Sequence, residues 1–375
     1  MTTRELYRMF FRFVKKGRQY HTVLGSGNYI EEVTNTYVHF RTRKGRMSHR
    51  ISRLKIKAAI SYFMAARTIT RNDLEVYSRF NSSLFGLLRY AFRKITKWSK
   101  TSKRYWRLSM TDQIHFFSGL CRAPRDMYVA KENGATHILI SYFAVRDDFQ
   151  ERWLYYAKKL GLQIMIDPGE YSRYKAELNG QDAAPITVEE YASFIKRHKK
   201  SIHSYLNLDV IGDPAQSEEN YRALVKRLGE DYRPIPVWHV QSEWTHLDTI
   251  MELDEPVVAI GGSAFLSEEK RERVFRKLYE RYPLGNFHAL GLSSRLAFSF
   301  PWFSSDSSAW LQGRKSHSLL TTNGHVTAPA EWTSEECLCF NVQTLVQQLQ
   351  HNYDRIFQAA LLVKPAHKAQ QLCLF

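Results

Sequence analysis

The sequence predicts an α/β chain, a (β/α)8 TIM-like barrel preceded by a basic α+β N-terminal domain. Three observations lead there. From residue 113 short apolar runs alternate with amphipathic helical stretches, the texture of parallel strands covered on both faces by crossover helices. Eight such runs occur, and a barrel is the simplest closure of eight; a doubly wound sheet is the other arrangement. The excess of positive over negative charge is confined to the first third: residues 1–110 hold 25 Lys and Arg against 5 Asp and Glu, while the whole chain carries +17. The chain therefore reads as a basic nucleic-acid-binding module at 1–110, a barrel at 111–330 and a C-terminal helical extension at 331–375.

In the basic module, Leu6, Met9, Phe10, Phe13 and Val14 at helical spacing predict a helix within residues 1–20. The stretches 21–28 and 36–40 predict a small β-hairpin, followed by the basic knot Arg41, Arg43, Lys44 and Arg46. Helices are expected at 53–67 and at 72–92, the second starting from an Asn72-Asp73 cap. Residues 93–107 interleave Arg93, Lys94, Lys103 and Arg104 with Tyr105 and Trp106, a mixture suited to neutralising phosphates and stacking bases. A solvated linker face accounts for the same composition.

The barrel strands are expected at 114–117, 137–142, 162–167, 205–210, 235–240, 257–262, 287–292 and 299–305. Helices are expected at 146–160, 187–199, 216–229, 244–252 and 267–281. Residues 315–340 read as an irregular loop around Thr321-Thr322-Asn323-Gly324, and 341–363 as a helix packed on the outside of the barrel.

A chain of 375 residues with 44% hydrophobic and 14% aromatic residues has enough apolar surface for one large core and an accessory domain. No apolar run reaches the length of a membrane span, and Met1-Thr2-Thr3-Arg4-Glu5 does not open a signal peptide. These features predict a cytoplasmic protein without membrane contact. The four cysteines, Cys121, Cys337, Cys339 and Cys373, are too few and scattered for a disulfide framework. Cys337 and Cys339 form a C-x-C pair with no second pair beside it, so no metal and no cofactor are expected.

In a barrel the C-terminal ends of the strands carry the site. Those ends read Asp167, Asp209, His239 with Gln241, Gly261-Gly262, Gly291 and Asp306. Carboxylates at three strand ends are costly to desolvate without a shared purpose. Two facing carboxylates fit displacement at an anomeric carbon, one attacking and the other moving the proton. Gly261-Gly262 lets backbone approach a flat ligand, although a plain turn explains it too. A structural strand-end histidine fits His239 equally.

In order along residues 113–315, these motifs resemble the tRNA-guanine transglycosylases and their DNA-modifying relatives. Asp167-Pro168-Gly169-Glu170-Tyr171 resembles the family's Asp-Ser-Gly-Gly-Phe, and Asn207-Leu208-Asp209 its base-recognising aspartate segment. Gln241 lies where the family has a base-contacting Gln, and Ile260-Gly261-Gly262 matches Ile-Gly-Gly. Ala289-Leu290-Gly291 resembles Met-Gly-Val-Gly. Asp306, with Arg314 following, falls at the nucleophile. The resemblance implies that Asp306 attacks C1′ of a guanosine, that Asp167 transfers the proton, and that Asp209, His239, Gln241, Gly261, Gly262 and Arg314 bind substrate.

The chain departs from the tRNA enzymes in three ways. Their C-x-C-x-x-C…His zinc site is missing, Pro168 and Glu170 replace Ser and Gly, and the basic module is added. These departures are similar to the DNA 7-deazaguanine transglycosylases of phages and mobile elements. The implied partners are DNA, whose target base must leave the stack, a 7-deazaguanine base such as 7-cyano-7-deazaguanine, and an accessory protein if the duplex needs one to open it. A tRNA substrate, a barrel nucleosidase or N-glycosidase, and a non-catalytic DNA-binding barrel are the competing expectations.

Overall fold

The computed structural model describes residues 2–347 except Leu24, Lys44, Arg104, Arg122 and Asp182. The expectations for Lys44, Arg104 and residues 348–375 lie outside the described residues. The chain divides into two compact units, Met1–Thr111 and Asp112 onward. The boundary falls where the sequence changes texture.

In the first unit, α1 (Thr3–Phe13) opens on a reciprocal cap. Thr2 Oγ1 accepts the Glu5 N–H at 3.2 Å and Glu5 Oε2 accepts the Thr2 N–H at 2.6 Å. The expected hairpin is larger than its sequence signal: β1 (Gln19–His21), β2 (Gly27–Val33), β3 (Tyr37–Thr42) and β4 (Ser48–Ser52) form one antiparallel four-stranded sheet. The strand after the basic knot was hidden because Ser48, His49 and Arg50 lack strand-forming apolar alternation. Next come α2 (Arg53–Ala66) and β5 (Thr68–Thr70). The single helix expected over 72–92 is interrupted. Asp73 accepts the Thr70 N–H and O–H at 2.6 and 2.8 Å, which makes a 3₁₀ turn of Asn72–Leu74 instead of a helix start. The helix α3 then covers only Asn81–Phe92. Residues 93–107 are a hairpin arm, not a linker: β6 (Thr96–Lys100) and β7 (Trp106–Met110) pair with β5 in the order β5-β7-β6.

The second unit runs β8 (Ile114–Phe117), α4 (Pro124–Glu132), β9 (His137–Ser141), α5 (Tyr142–Val145), α6 (Arg152–Lys159), β10 (Gln163–Asp167), α7 (Glu170–Leu178), α8 (Val188–His198), β11 (Ser204–Tyr205) and α9 (Pro214–Leu228). It continues through β12 (Val237–His239), α10 (Trp244–Glu252), β13 (Val258–Gly261), α11 (Glu268–Arg281), β14 (Phe287–Ala289), α12 (Leu296–Ser299), β15 (Ser304–Ser307) and α13 (Gln312–Ser316). The eight strands β8–β15 are joined by parallel ladders in the order β11-β10-β9-β8-β15-β14-β13-β12. The two ends meet at a parallel bridge between Leu206 and Ile235. There Ile235 N–H donates to the Tyr205 carbonyl and Asn207 N–H to the Ile235 carbonyl, both at 2.8 Å. The sheet is therefore a closed (β/α)8 ring. The doubly wound alternative is excluded.

The strand period of two sorts side chains between two cores. Phe116, Leu139, Met165, Leu206, Val237 and Ala259 pack together inside the ring. Their neighbours Phe117, Ile138, Ile140, Ile164, Ile166, Trp238 and Ile260 face the helices in the larger outer core. This double burial explains why the strands read as unbroken apolar runs.

After α13 the expected loop contains a hairpin, β16 (Ser318–Thr321) and β17 (Gly324–Thr327), turning at Thr322-Asn323. The C-terminal helix begins earlier than expected, at residue 334, and is described to 347. Leu338, Val342 and Leu345 bury in the outer core of the barrel. Asn341, fully buried, ties this helix to the segment that follows β15. It accepts the Leu320 N–H at 2.6 Å and donates to the carbonyls of Trp310 and Ser318 at 3.1 and 3.0 Å. Among the described residues no helix is long and apolar enough to cross a membrane.

Replacing Asn341 by Ala strands one backbone donor and two carbonyls in an apolar setting. The expected loss is about 3 kcal/mol in urea denaturation. Gln343→Ala removes an exposed bond to Asn133 from the same helix and is expected to cost less than about 0.5 kcal/mol.

Candidate active site and cationic surface

The strand ends gather the three expected carboxylates and give each a different partner. Asp167 closes β10, opposite Ser141 in the parallel register with β9. Its Oδ1 accepts the Gly169 N–H at 2.9 Å. Gly169 holds φ +90°, and a Cβ there would collide with Ser141 Oγ and Phe143 Cβ. This explains why glycine follows Pro168. Asp306 lies within β15, not beyond the strand as expected. Its Oδ1 accepts the Gly291 N–H at 2.9 Å and faces His288 Nε2 at 3.4 Å. Asp209 is four residues past the end of β11, in a loop. Its Oδ2 meets His239 Nε2 at 2.7 Å.

The crowding perturbs Asp167 most. Loss of hydration pushes its pKa from 3.8 up to about 7, opposed by the Gly169 N–H and reinforced by the negative charges of Asp209, Asp306 and Glu170. Although Asp167 keeps some exposed area, the surrounding strand ends leave it little water. Glu170, in the first turn of α7, is a fourth carboxyl of this cluster. Burial raises its pKa, Arg173 lowers it through a bond at 2.8 Å, and Asp209 raises it again. Asp167 is thus a carboxyl that holds or releases a proton near neutrality, which is what general acid–base work requires.

Other expected binders are used differently. His239, the last residue of β12, pairs with Asp209, so Asp209 enters the site with one oxygen already engaged. Gln241 is exposed, and its Nε2 donates to the Gly262 carbonyl at 2.7 Å. Gly262 has φ +74°, where a Cβ would strike the Gln241 amide. Gln241 and Gly262 therefore lock each other at the rim. Gly261 ends β13 beside His239 in register. Arg314 does not join the carboxylates: both its terminal nitrogens are held by the Asp126 carboxylate on α4. No local pattern marks Asp126 as this partner, because the two residues lie 188 positions apart.

The serines around Asp306 divide by strand alternation. Ser304 and Asp306 meet His288, whereas Ser305 Oγ lies 2.9 Å from His115 Nδ1 and 3.2 Å from Gln113 Nε2. His115 neighbours Phe117, which faces the helices. Burial depresses its pKa to about 4 against the raising effect of Asp306. His288 is fully buried and was missed because an inward histidine in an apolar run carries no local signal.

In the first unit, Arg41, Arg43 and Arg46 are exposed at and beyond the end of β3, with Arg41 paired to Glu31 at 3.1 Å. Arg93, Lys94 and Lys103 are exposed too. Arg93 lies over the rings of Phe13 and Tyr90 and donates to the Tyr90 carbonyl at 2.7 Å. Trp98 and Trp106 stack on each other at 3.9 Å, with Arg89 over Trp98. These contacts occupy ring surface of both tryptophans within the unit, while Tyr105 of the same segment stays exposed at 48%.

The fold and site define a (β/α)8 barrel with a carboxylate and histidine cluster at its strand ends. No protein-family model and no curated protein matches the chain. Among solved structures, a chain from Aquifex aeolicus VF5, described as "Structural study of Project ID", is 14% identical with a TM-score of 0.42, covering 64% of this chain and 94% of its own. One described as "Native KDPGal structure" is 12% identical with a TM-score of 0.36, covering 66% and 95%. Likenesses this weak carry no argument about the site. The barrel rests on its own strand ladder.

Because Asp167 is raised in the folded state, its neutral form stabilises the fold. That contribution is full below pH 3.8 and is lost as pH rises through about 7. Asp167→Asn should leave stability unchanged near pH 3.5 and raise it at pH 8.5 by at most about 4 kcal/mol. Urea midpoints of the two proteins at both pH values check this.

Proposed function

We propose that the chain is an enzyme, a glycosyltransferase that exchanges guanine in DNA for a 7-deazaguanine such as 7-cyano-7-deazaguanine, by double displacement through a covalent Asp306 intermediate. The observation that carries the reading is the division of labour among the strand-end carboxylates. Asp306 is oriented by one backbone N–H with its other oxygen unbonded among the described residues, and Asp167 titrates near neutrality.

In this reading an Asp306 oxygen attacks C1′ as the bond to guanine breaks, and Asp167 supplies the proton the departing base needs. The entering deazaguanine gives a proton back to Asp167 and takes the sugar from Asp306. Asp209 presents its remaining oxygen to the N–H edge of a purine, while His239 holds it in place. Gly261, buried at the end of β13 beside His239, adds no side chain at that strand end. The exposed arginines near β3 supply phosphate contacts, and the chemistry requires the target nucleotide to leave the duplex stack.

Incubation of the protein with DNA and 7-cyano-7-deazaguanine, followed by mass spectrometry of the nucleosides, should yield a deazaguanine deoxynucleoside. Asp306→Ala should abolish it. A product formed only in tRNA keeps the chemistry and changes the substrate; free guanine without incorporation indicates a nucleosidase. The charge argument is separable. Arg43→Ala with Arg46→Ala should flatten the dependence of log K on log salt for duplex binding by about 2, near one unit per lost phosphate contact. An unchanged slope removes this surface from the interface.

A further inference from the structure

We propose that His288 is a positioning residue for Asp306: its Nε2–H, with the Gly291 N–H, holds Oδ1 and leaves Oδ2 as the attacking atom. The inference rests on the transglycosylase reading above for its chemistry, but its geometry stands apart. His288 lies on β14, fully buried, its ring edge-on to Phe116 with centroids 5.7 Å apart. Its Nδ1 is 2.8 Å from Ser304 Oγ, on the neighbouring strand and in register with it. Its Nε2 is buried, 3.4 Å from Asp306 Oδ1, and makes no hydrogen bond in this state.

The proton assignment follows from these contacts. Were Nδ1 the only protonated nitrogen, the Nε2 lone pair would face a carboxylate oxygen inside a water-poor core, which is repulsive. With the proton on Nε2, the ring presents a donor to Oδ1, and Nδ1 accepts the Ser304 hydroxyl, which has no other partner among the described residues. Catalytic hydrogen bonds are often long without substrate and shorten in the complex; the proposal requires the 3.4 Å separation to close in this way.

The balance of the reaction shows where the bond acts. In the first step the Oδ2–C1′ bond forms as the C1′–N bond to guanine breaks, and guanine leaves with a proton from Asp167. In the second, the nitrogen of the entering base loses its proton to Asp167, bonds to C1′, and the Oδ2–C1′ electron pair returns to Asp306 as carboxylate charge. His288 keeps its proton throughout. A donor to Oδ1 is stronger toward the carboxylate than toward the ester, so it favours release of the sugar and collapse of the covalent intermediate.

The test pairs kinetics with a readout that needs no turnover. His288→Leu should lower kcat for exchange on duplex DNA with 7-cyano-7-deazaguanine by about tenfold or more, leave kcat/KM for the DNA within about twofold because KM falls with kcat, and accumulate the DNA–protein adduct trapped by denaturation. His288→Gln, which retains a side-chain N–H donor, should recover most of the rate. Nitrogen-15 spectra of the wild-type protein, with the His288 signals assigned by difference, should show a proton on Nε2, perturbed by Asp306→Asn. A Leu variant with wild-type kcat and adduct level overturns the proposal, as does a Gln variant no better than Leu or a ring protonated only on Nδ1. Wild-type protein that forms neither product nor adduct defeats the transglycosylase reading instead, and the nitrogen spectra then decide the contact by themselves.

Discussion

The crowding of carboxylates at one end of a closed barrel is the constraint on which the rest of this unit depends. Asp167, Asp209 and Asp306 are close enough for the charges of the other two to raise Asp167, and each would destabilise the fold if left bare. The chain answers with three devices. Asp306 takes a backbone N–H from Gly291, Asp209 takes the His239 imidazole, and Asp167 takes the Gly169 N–H and is driven toward neutrality. Chemically similar groups thus stand in different surroundings, and burial raises the pKa of Asp167.

The barrel makes this possible through alternation. On β15 the sequence Ser-Ser-Asp-Ser sends Ser304 and Asp306 to His288 and Ser305 to His115. Small residues suit this strand because both its faces are crowded, by Phe116 and His288 on one side and by Phe117 and Trp310 on the other. A bulky residue at 304 or 305 would displace a histidine that fixes its neighbour. The C-terminal helix, through Asn341, holds the chain just beyond β15, so a segment remote in sequence braces the strand that carries Asp306.

The first unit shows a different economy. Its cations are numerous, yet several are spread over aromatic rings: Arg53 over Tyr7 and Phe11, Arg89 over Trp98, Arg93 over Phe13 and Tyr90. Such contacts let guanidinium groups cover apolar surface while their charge still contributes to the field. The arginines that extend from β3 into the turn, Arg41, Arg43 and Arg46, are exposed, with Arg41 paired to Glu31.

Much of the architecture was legible because it is written in local patterns. Runs such as Ile164-Met165-Ile166 are apolar at every position, since strands in a barrel are covered on both faces, and helix α10 matches its expected span of 244–252 residue for residue. The charge boundary near residue 111 coincides with a physical one. The strand-end carboxylates could be named because position along a run gives the end of the barrel. By itself, then, the sequence determined the strand count, the unit boundary and which acidic groups share an end. Only the tertiary structure decided their partners: His239 on Asp209, Gln241 on Gly262, Asp126 on Arg314, His288 on Asp306. It also broke the 72–92 helix, through a carboxylate reaching back to Thr70. Periodicity depends on a residue and its near neighbours, whereas the groups at the strand ends meet their partners only after the ring closes, where small differences in position choose the partner.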